Sequence, residues 1–129
     1  MINKPNKTIY KNQKQIRKKI IKKIRDKFLD KVKEAYLIGS LAEGKFGIYD
    51  KEFEGYFGSD IDIVAIPAEI TIKWKYEGDF YDWHSLYNIG EIKIKDTLHP
   101  IMFMIPFEQD INLFWKKAKE LNWKIEKLK

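Results

Sequence analysis

Two short stretches decide the fold: YLIGS at Tyr36–Ser40 and SDIDIV at Ser59–Val64. The first belongs to an apolar run, Ala35–Ile38, that ends at Gly39-Ser40, which predicts a buried strand leading into a turn. The second begins with polar alternation and finishes apolar, which predicts a strand over Asp60–Ile66 that passes from a polar edge into a core.

The chain on either side of these strands shows helical periodicity. Apolar residues recur at steps of three and four from about Thr8 to Val32 and again from Phe107 to about Leu128. Each pattern predicts one amphipathic helix that buries a single stripe. Residues 1–7 are polar and contain Pro5, so we expect a loose start.

The centre of the chain predicts further strands. Leu41–Ser59 is rich in glycine and aromatic residues and predicts a short helix followed by a long loop. Ile70–Glu77 alternates like a half-buried strand, Gly78–Gly90 looks irregular, and Glu91–Lys95 with Leu98–Ile105 predicts a hairpin. Together these elements predict one α+β domain over 1–129, with long terminal helices packed on one face of a small mixed sheet.

Composition narrows the class of protein. The 129 residues suffice for one domain, and 44% apolar content with 19 aromatic residues excludes a disordered chain. The absence of cysteine excludes disulfides, thiolate metal sites and a cysteine nucleophile. No apolar run approaches the roughly 20 residues that span a bilayer, so we expect a cytoplasmic protein with no membrane partner.

The positive charge is concentrated at one end. The first 33 residues carry a net charge of +11, so the remaining 96 residues carry −5 of the overall +6. Lysines and arginines fill the polar face of the first predicted helix. That face is either a solvated surface or a surface that binds the phosphate backbone of RNA, and the sequence leaves both interpretations open.

The chemistry is concentrated in the two quoted stretches. Residues two apart on a strand project from the same face, so Asp60 and Asp62 should stand side by side and repel each other. A divalent hard cation such as Mg²⁺ relieves that repulsion, because it prefers carboxylate, water and phosphate oxygens. Gly39 allows a close approach to the backbone, and Ser40 offers a hydroxyl and an N–H to an anion. A phosphate cradle beside a metal site indicates phosphoryl or nucleotidyl transfer.

At these residues the chain resembles the nucleotidyltransferase superfamily that includes DNA polymerase beta, and more narrowly its minimal bacterial and archaeal members. The matching pattern is an apolar strand, Gly-Ser, a short helix, and Ser-Asp-x-Asp on the next strand. Here it reads LIGSLAEG at Leu37–Gly44 and SDIDI at Ser59–Ile63. The resemblance covers about residues 34–66 and implies a nucleotidyltransferase-like fold.

The resemblance also implies roles for these residues. Asp60 and Asp62 would be the catalytic metal ligands for Mg²⁺ or Mn²⁺, and Gly39 and Ser40 would bind a nucleoside triphosphate, ATP being the expected one. The reaction would move a nucleoside monophosphate to an acceptor hydroxyl on RNA, a protein or a small molecule. At this length we expect a partner protein, a homodimer mate or the acceptor itself to complete the site.

Three features depart from the family pattern. The 41–59 segment is longer than usual, and Glu43 stands where a basic residue is common. The predicted strand Leu98–Ile105 contains no third carboxylate, and neither Glu91, Asp96 nor His99 matches the motif. These departures keep open an alternative of a different class, a non-catalytic regulatory or binding module that is antitoxin-like or binds RNA through its basic N-terminal helix.

The aromatic residues also admit two interpretations. Those of the predicted loop either stack a nucleobase or anchor the loop on the core, and anchoring is the commoner role: Phe46, Tyr49, Phe53, Tyr56 and Phe57. Those near the predicted strand Ile70–Glu77 are expected in the core: Trp74, Tyr76, Phe80, Tyr81 and Trp83. His84 and His99 have no ligand-like spacing and are expected to be structural.

Overall fold

The computed structural model describes residues 4–71 and 73–129. Its helices and strands, in chain order, are β1 (Lys7–Ile9), α1 (Gln13–Lys27), β2 (Val32–Ile38), α2 (Gly39–Glu43), β3 (Gly47–Phe53), β4 (Tyr56–Gly58), β5 (Ile61–Pro67), β6 (Lys75–Phe80), β7 (His84–Ile94), β8 (Thr97–Pro106), α3 (Ile111–Leu121) and β9 (Glu126–Lys127). A single 3₁₀ turn, Phe107–Gln109, precedes α3. The predicted mixed α+β class is confirmed, with strands as the larger part.

The main sheet has six strands in the order β6-β7-β8-β5-β2-β9. Within the described residues, β5 and β8 form its parallel pair and the other neighbours are antiparallel. Because β5 lies between β2 and β8, the strand that carries Asp62 and directly follows Asp60 occupies an interior position. The presence of both parallel and antiparallel pairs confirms the predicted mixed sheet.

Helices cover both faces of this sheet, so the prediction that they pack on one face is wrong. The apolar residues of α1 and α2 pack with the odd-numbered residues of β5, such as Ile61 and Ile63. Phe114 and Ala118 of α3 pack with Val64 on the opposite face. Successive strand residues point to opposite faces, and β5 is apolar on both, so each face needs its own cover.

The terminal helices are shorter than the apolar patterns indicate. The N-terminal pattern spans Thr8 to Val32, but α1 is only Gln13–Lys27. Leu29 and Val32 extend the apolar stripe from a turn and from β2, where they are still buried. Residues 1–3 of the predicted loose start lie outside the described residues.

The C-terminal helix is limited in the same way at both ends. Asp110 caps α3 by accepting a hydrogen bond from the Asn112 N–H at 3.0 Å. Asn122 ends it in the left-handed conformation with φ 54°. The chain then forms β9 beside β2 and buries Leu128, so the apolar pattern spans a helix, a turn and a strand.

A second sheet replaces most of the predicted 41–59 loop. The predicted short helix is confirmed as α2, but β3 and β4 then form a hairpin, and β1 adds a third strand with Lys7 opposite Tyr49. This sheet depends on a partner about forty positions away in the chain, which local periodicity does not reveal.

The region before the β7–β8 hairpin also differs from expectation. The strand predicted over Ile70–Glu77 lies at β6, Lys75–Phe80, while Ile72 is outside the described residues. Most of the predicted irregular segment Gly78–Gly90 belongs to β6 and β7. The hairpin itself is confirmed, with its turn at Lys95-Asp96.

Exposure separates the five aromatic residues expected in the core. Trp83 is buried and Trp74 is partly buried, as predicted. Tyr76, Phe80 and Tyr81 are exposed, Tyr81 by 86%, so the core prediction is wrong for these three. They lie on or beside β6, the edge strand, where a side chain has a neighbouring strand on one side only.

Candidate functional site

The two sequence motifs meet where β2 ends and β5 begins. These strands are antiparallel neighbours, with Ile38 opposite Asp62. Because directly opposed residues project from the same face, Asp62 lies on the face that carries Ile38 and Val64. Gly39 follows Ile38 immediately, so the Gly-Ser turn lies against the aspartate strand.

Gly39 is in direct contact with the Asp62 side chain. Its φ of +76° lies in the left-handed region, where glycine is favoured. A Cβ added at this position would lie 2.6 Å from Asp62 Oδ2, closer than real Cβ contacts. A glycine is therefore required here both by the turn and by the adjacent carboxylate. Ser40 is half-buried in the first turn of α2.

Asp60 and Asp62 are two half-buried carboxyl groups that disfavour each other's charge. Burial raises the pKa of Asp60 to about 6, although Lys4 and Lys7 lower it in part. Burial, followed by the charge of Asp60, raises the pKa of Asp62 to about 7. The predicted repulsion between the two carboxylates is thus present in the folded chain.

Two cations that offset this repulsion come from a distant part of the sequence. The charges of Lys4 and Lys7 lower the pKa values of both aspartates. Lys7 reaches the site because β1 pairs with β3, and its partner Tyr49 has a pKa raised to about 12 by burial and by both aspartates. These lysines could not be identified from the sequence, because nothing basic adjoins Asp60 or Asp62 in the chain.

Removing one of these cations should change the titration of the pair. In Lys7→Gln we expect the pKa of Asp62 to rise further, because a favourable charge is lost while the burial remains. Lys51→Gln is the matched control, since Lys51 is exposed on β3 of the same small sheet. Carboxyl ¹³C chemical shifts followed against pH measure the effect, and equal Asp62 titrations in the two variants would contradict it.

A large open cavity lies beside Asp60. Its volume is about 870 Å³, within the range of ligand sites, and it is lined in part by Asn88, Pro100 and Met102. Charged side chains of both signs also line it: Glu54, Asp60, Glu77, Glu91, Lys73 and Lys75. The cavity places a solvent-accessible space for a substrate next to one of the two aspartates.

The three candidates for a further carboxylate or base differ in their positions. Glu91 lines the cavity with Asp60, whereas Asp96 lies in the exposed β7–β8 turn. His99 is fully buried and both of its ring nitrogens are hydrogen-bonded, so it has no free nitrogen to serve as a base. Met102 occupies the position of β8 opposite Asp62.

The donor set fits a magnesium ion held by two protein carboxylates. Within residues 4–71 and 73–129, no group of three or more His, Cys, Asp and Glu side chains could hold a metal ion. Mg²⁺ keeps several waters and is commonly bound through one or two carboxylates plus substrate phosphates. Asp60 and Asp62 are the residues that could supply those carboxylates. Burial is the main cause of both raised pKa values, and the charge of Asp60 further raises the pKa of Asp62, so a cation would favour the charged state of both groups.

The remaining residues named from the sequence have clearer structural roles. Phe46 and Tyr49 are buried, as expected of aromatic anchors, while Phe57 is 50% exposed. His84 is buried against Trp83 with ring centroids 4.2 Å apart, and burial lowers its pKa to about 4. None of the helices in the described parts of the chain is long and apolar enough to cross a membrane.

The chain was compared with known proteins in three ways. No family model, no curated protein and no solved structure matches it.

Proposed function

We propose that this chain is a Mg²⁺-dependent nucleotidyltransferase that moves a nucleoside monophosphate, AMP from ATP, to an acceptor hydroxyl. The observation that carries the proposal is the contact between the Gly-Ser turn and the aspartate strand. A Cβ at Gly39 would lie 2.6 Å from Asp62 Oδ2, so a group bound along the turn would meet the carboxylate. A phosphate site beside a metal site is the arrangement that this transfer requires.

Each site residue has a distinct task in this reaction. Asp60 and Asp62 would hold the ion, and Gly39 and Ser40 would contact the triphosphate. When bound, Mg²⁺ neutralises developing charge and lowers the pKa of the attacking hydroxyl. Lys4 and Lys7 favour the charged state of both aspartates and offset part of the burial that raises their pKa values, and a bound cation would favour the charged state further.

The acceptor would approach from the open side of the site. The cavity beside Asp60 holds about 870 Å³ and is open to solvent, so it can admit an RNA end, a protein side chain or a small molecule. We therefore expect the acceptor, a partner protein or a second copy of the chain to complete the enclosure around the reacting groups, because water must be excluded from the transfer.

A thermal-shift titration tests the nucleotide site without knowledge of the acceptor. Wild-type protein is titrated with Mg²⁺ plus each nucleoside triphosphate, and ATP is expected to raise the melting temperature. Ligand at about 100 Kd stabilises the folded state by about 2.7 kcal/mol, which corresponds to roughly 10 °C for a domain of this size.

Matched variants identify the residues responsible for that shift. Asp60→Asn and Asp62→Asn should abolish it, whereas Asp30→Asn, which changes an exposed aspartate outside the site, should retain it. A shift of equal size in all four proteins would show that the nucleotide binds elsewhere. No shift with any nucleotide would count against the transferase.

A non-catalytic binding module is the second candidate, and one observation favours it. Met102 stands opposite Asp62 on β8, so the neighbouring strand offers no carboxylate at that position. Such a module would bind nucleotide without turnover. Release of pyrophosphate from ATP in the presence of candidate acceptors separates the two functions, since only the transferase produces it.

The basic helix supports an RNA-binding form of this module. Lys14, Lys18, Lys19 and Lys22 of α1 are exposed to solvent on the side away from the sheet. RNA affinity should then fall steeply with salt, and Gln at Lys18, Lys19, Lys22 and Lys23 should flatten that dependence. Filter binding between about 50 and 200 mM salt tests this, because phosphate contacts weaken strongly over that range. Equal slopes of RNA affinity against salt for wild type and the variant would exclude an α1 interface.

A further inference from the structure

Ser59, the residue before Asp60, is held at three points. Its N–H donates to the Gly47 carbonyl at 3.0 Å, and its Oγ accepts from the Gly47 N–H at 3.0 Å. Its carbonyl accepts from Nδ1 of His99 at 2.8 Å. Ser59 is only 1% exposed, so solvent is poorly placed to replace any of these bonds.

The ring of His99 is fixed in one tautomer. The Ser59 carbonyl can only accept, so Nδ1 carries the proton and Nε2 presents a lone pair. The Tyr10 hydroxyl, 2.9 Å from Nε2, is then the donor, and the Ile94 carbonyl, the other acceptor near this hydroxyl, lies farther away at 3.4 Å. Phe46 stacks on the imidazole at 4.3 Å, and His99 is completely buried. Tyr10 and Phe46 therefore hold the ring in the orientation that serves Ser59.

Asp60 depends on a restraint of this kind. It lies between β4 and β5, outside regular strand pairing, and it faces the repelling carboxylate of Asp62. His99 lies two residues before Ile101, which pairs with Ile61. Since residues alternate between faces of β8, His99 lies on the α1 side of the sheet with Ile101, whereas Met102 lies on the other side, and Asp60 lines the same cavity as Met102. His99 thus holds the backbone from behind the carboxylate.

We infer that His99, oriented by Tyr10, is a positioning residue that fixes the backbone at Ser59 and keeps Asp60 beside Asp62 for metal binding. The inference rests on the proposed function, because it takes Asp60 as a metal ligand. Gly58 belongs to the same arrangement, since a Cβ there would lie 2.5 Å from His99 Nδ1. The histidine therefore acts through Ser59 and contacts neither metal nor substrate.

Two amide variants separate positioning from core packing. In His99→Asn the side-chain NH₂ can occupy the place of Nδ1 and still donate to the Ser59 carbonyl. In His99→Gln the amide reaches the place of Nε2, which retains Tyr10 and loses Ser59. Both remove the imidazole from its stack on Phe46, and only His99→Gln keeps the Tyr10 bond, so weaker metal binding in His99→Gln than in His99→Asn reports the loss of the Ser59 bond.

The readouts are metal affinity and backbone order. We expect His99→Gln to weaken Mn²⁺ binding, followed by electron paramagnetic resonance with the metal alone, at least tenfold. The ¹⁵N order parameter of the Asp60 amide should fall from a rigid value near 0.85 to below about 0.6. His99→Asn should remain within threefold of wild type in affinity and keep a rigid amide. Equal values for the two variants would overturn the inference.

Two further results keep the outcomes distinct. If His99→Gln does not fold, Tyr10→Phe serves instead, because it preserves both rings and removes the hydroxyl that bonds Nε2, together with its longer contact to the Ile94 carbonyl. It should weaken Mn²⁺ binding about threefold and loosen the Asp60 amide, and unchanged values would overturn the inference. If wild-type protein binds no Mn²⁺, the proposed function fails, while the order parameter of Asp60 still decides whether His99 is a positioning residue.

Discussion

Replacing Asp62 with asparagine is expected to stabilise the folded chain at pH 8 and to abolish Mg²⁺-dependent binding of nucleoside triphosphate. The folded pKa of Asp62, about 7, lies well above the value of an unfolded aspartate. Between about pH 4 and pH 7 the folded chain therefore holds a proton that the unfolded chain releases, and stability falls as the pH rises through that window.

Asparagine removes this penalty because it does not ionise. The shift corresponds to about 1.4 kcal/mol per pKa unit, and because the carboxyl is only half-buried and screened by water, we expect a gain of roughly 2 kcal/mol at pH 8. Urea unfolding at pH 5 and pH 8 measures it. The gain should be small at pH 5, and Asp30→Asn is the control. A loss of stability at pH 8 would contradict the assignment.

The combination of higher stability with lost binding distinguishes a functional pair from a structural one. A structural carboxylate is paired or hydrogen-bonded, and its removal destabilises the fold. Asp60 and Asp62 instead oppose each other in the folded chain, so the fold retains them at a cost. Such stability–function opposition is expected at a site that a cation completes.

Replacing Gly39 with alanine is expected to have a similarly large effect, of the opposite sign on stability. A Cβ forces a side chain into the left-handed region at φ +76° and places it 2.6 Å from Asp62 Oδ2. The backbone term alone costs about 1–2 kcal/mol, and displacement of Asp62 adds to it. We expect a total near 3 kcal/mol by urea unfolding and a complete loss of the nucleotide-dependent thermal shift.

Gly44 supplies the matched control for this variant. It has nearly the same φ, +75°, but no described atom lies within 4 Å of a Cβ built there. Gly44→Ala should therefore show the backbone cost without the contact, about 1–2 kcal/mol, and should keep the thermal shift. If the two alanine variants lose nucleotide binding equally, the contact between Gly39 and Asp62 has no role in it.

The central residues of the candidate site could be predicted from the sequence, but little of their surroundings could. The strands that carry Gly39 and Asp62 could be predicted because their apolar runs and turn residues are local signals. Their adjacency was suggested by the order of the two motifs. The three-stranded sheet, Lys7 and the Tyr10–His99 bond could not be predicted, since each depends on pairing between segments roughly 40 to 90 positions apart.

The predicted lengths of the helices were wrong for a related physical reason. An apolar residue can be buried from a helix, a turn or a strand. Leu29, Val32 and Leu128 are buried although they lie beyond the ends of the helices, so they extended the apolar patterns past the true helix ends. Likewise the apolar residues on both faces of β5 indicated cover on each side of the sheet, but no local signal in the sequence showed that helices supply that cover on both sides.

The pairing of the edge strand β9 affects the order in which the parts of the site form during folding. It pairs with β2 through Tyr36 and Lys127, about 90 positions apart, and Arg25 donates to the carbonyls of Lys127 and Leu128. Chains whose contacts are this distant fold slowly, because the entropy of loop closure is lost before the contacts form. β2, which ends at Ile38 beside Gly39, is thus paired on both edges only late in folding, and refolding on the millisecond-to-second scale should end with the pairing of β2 and β9.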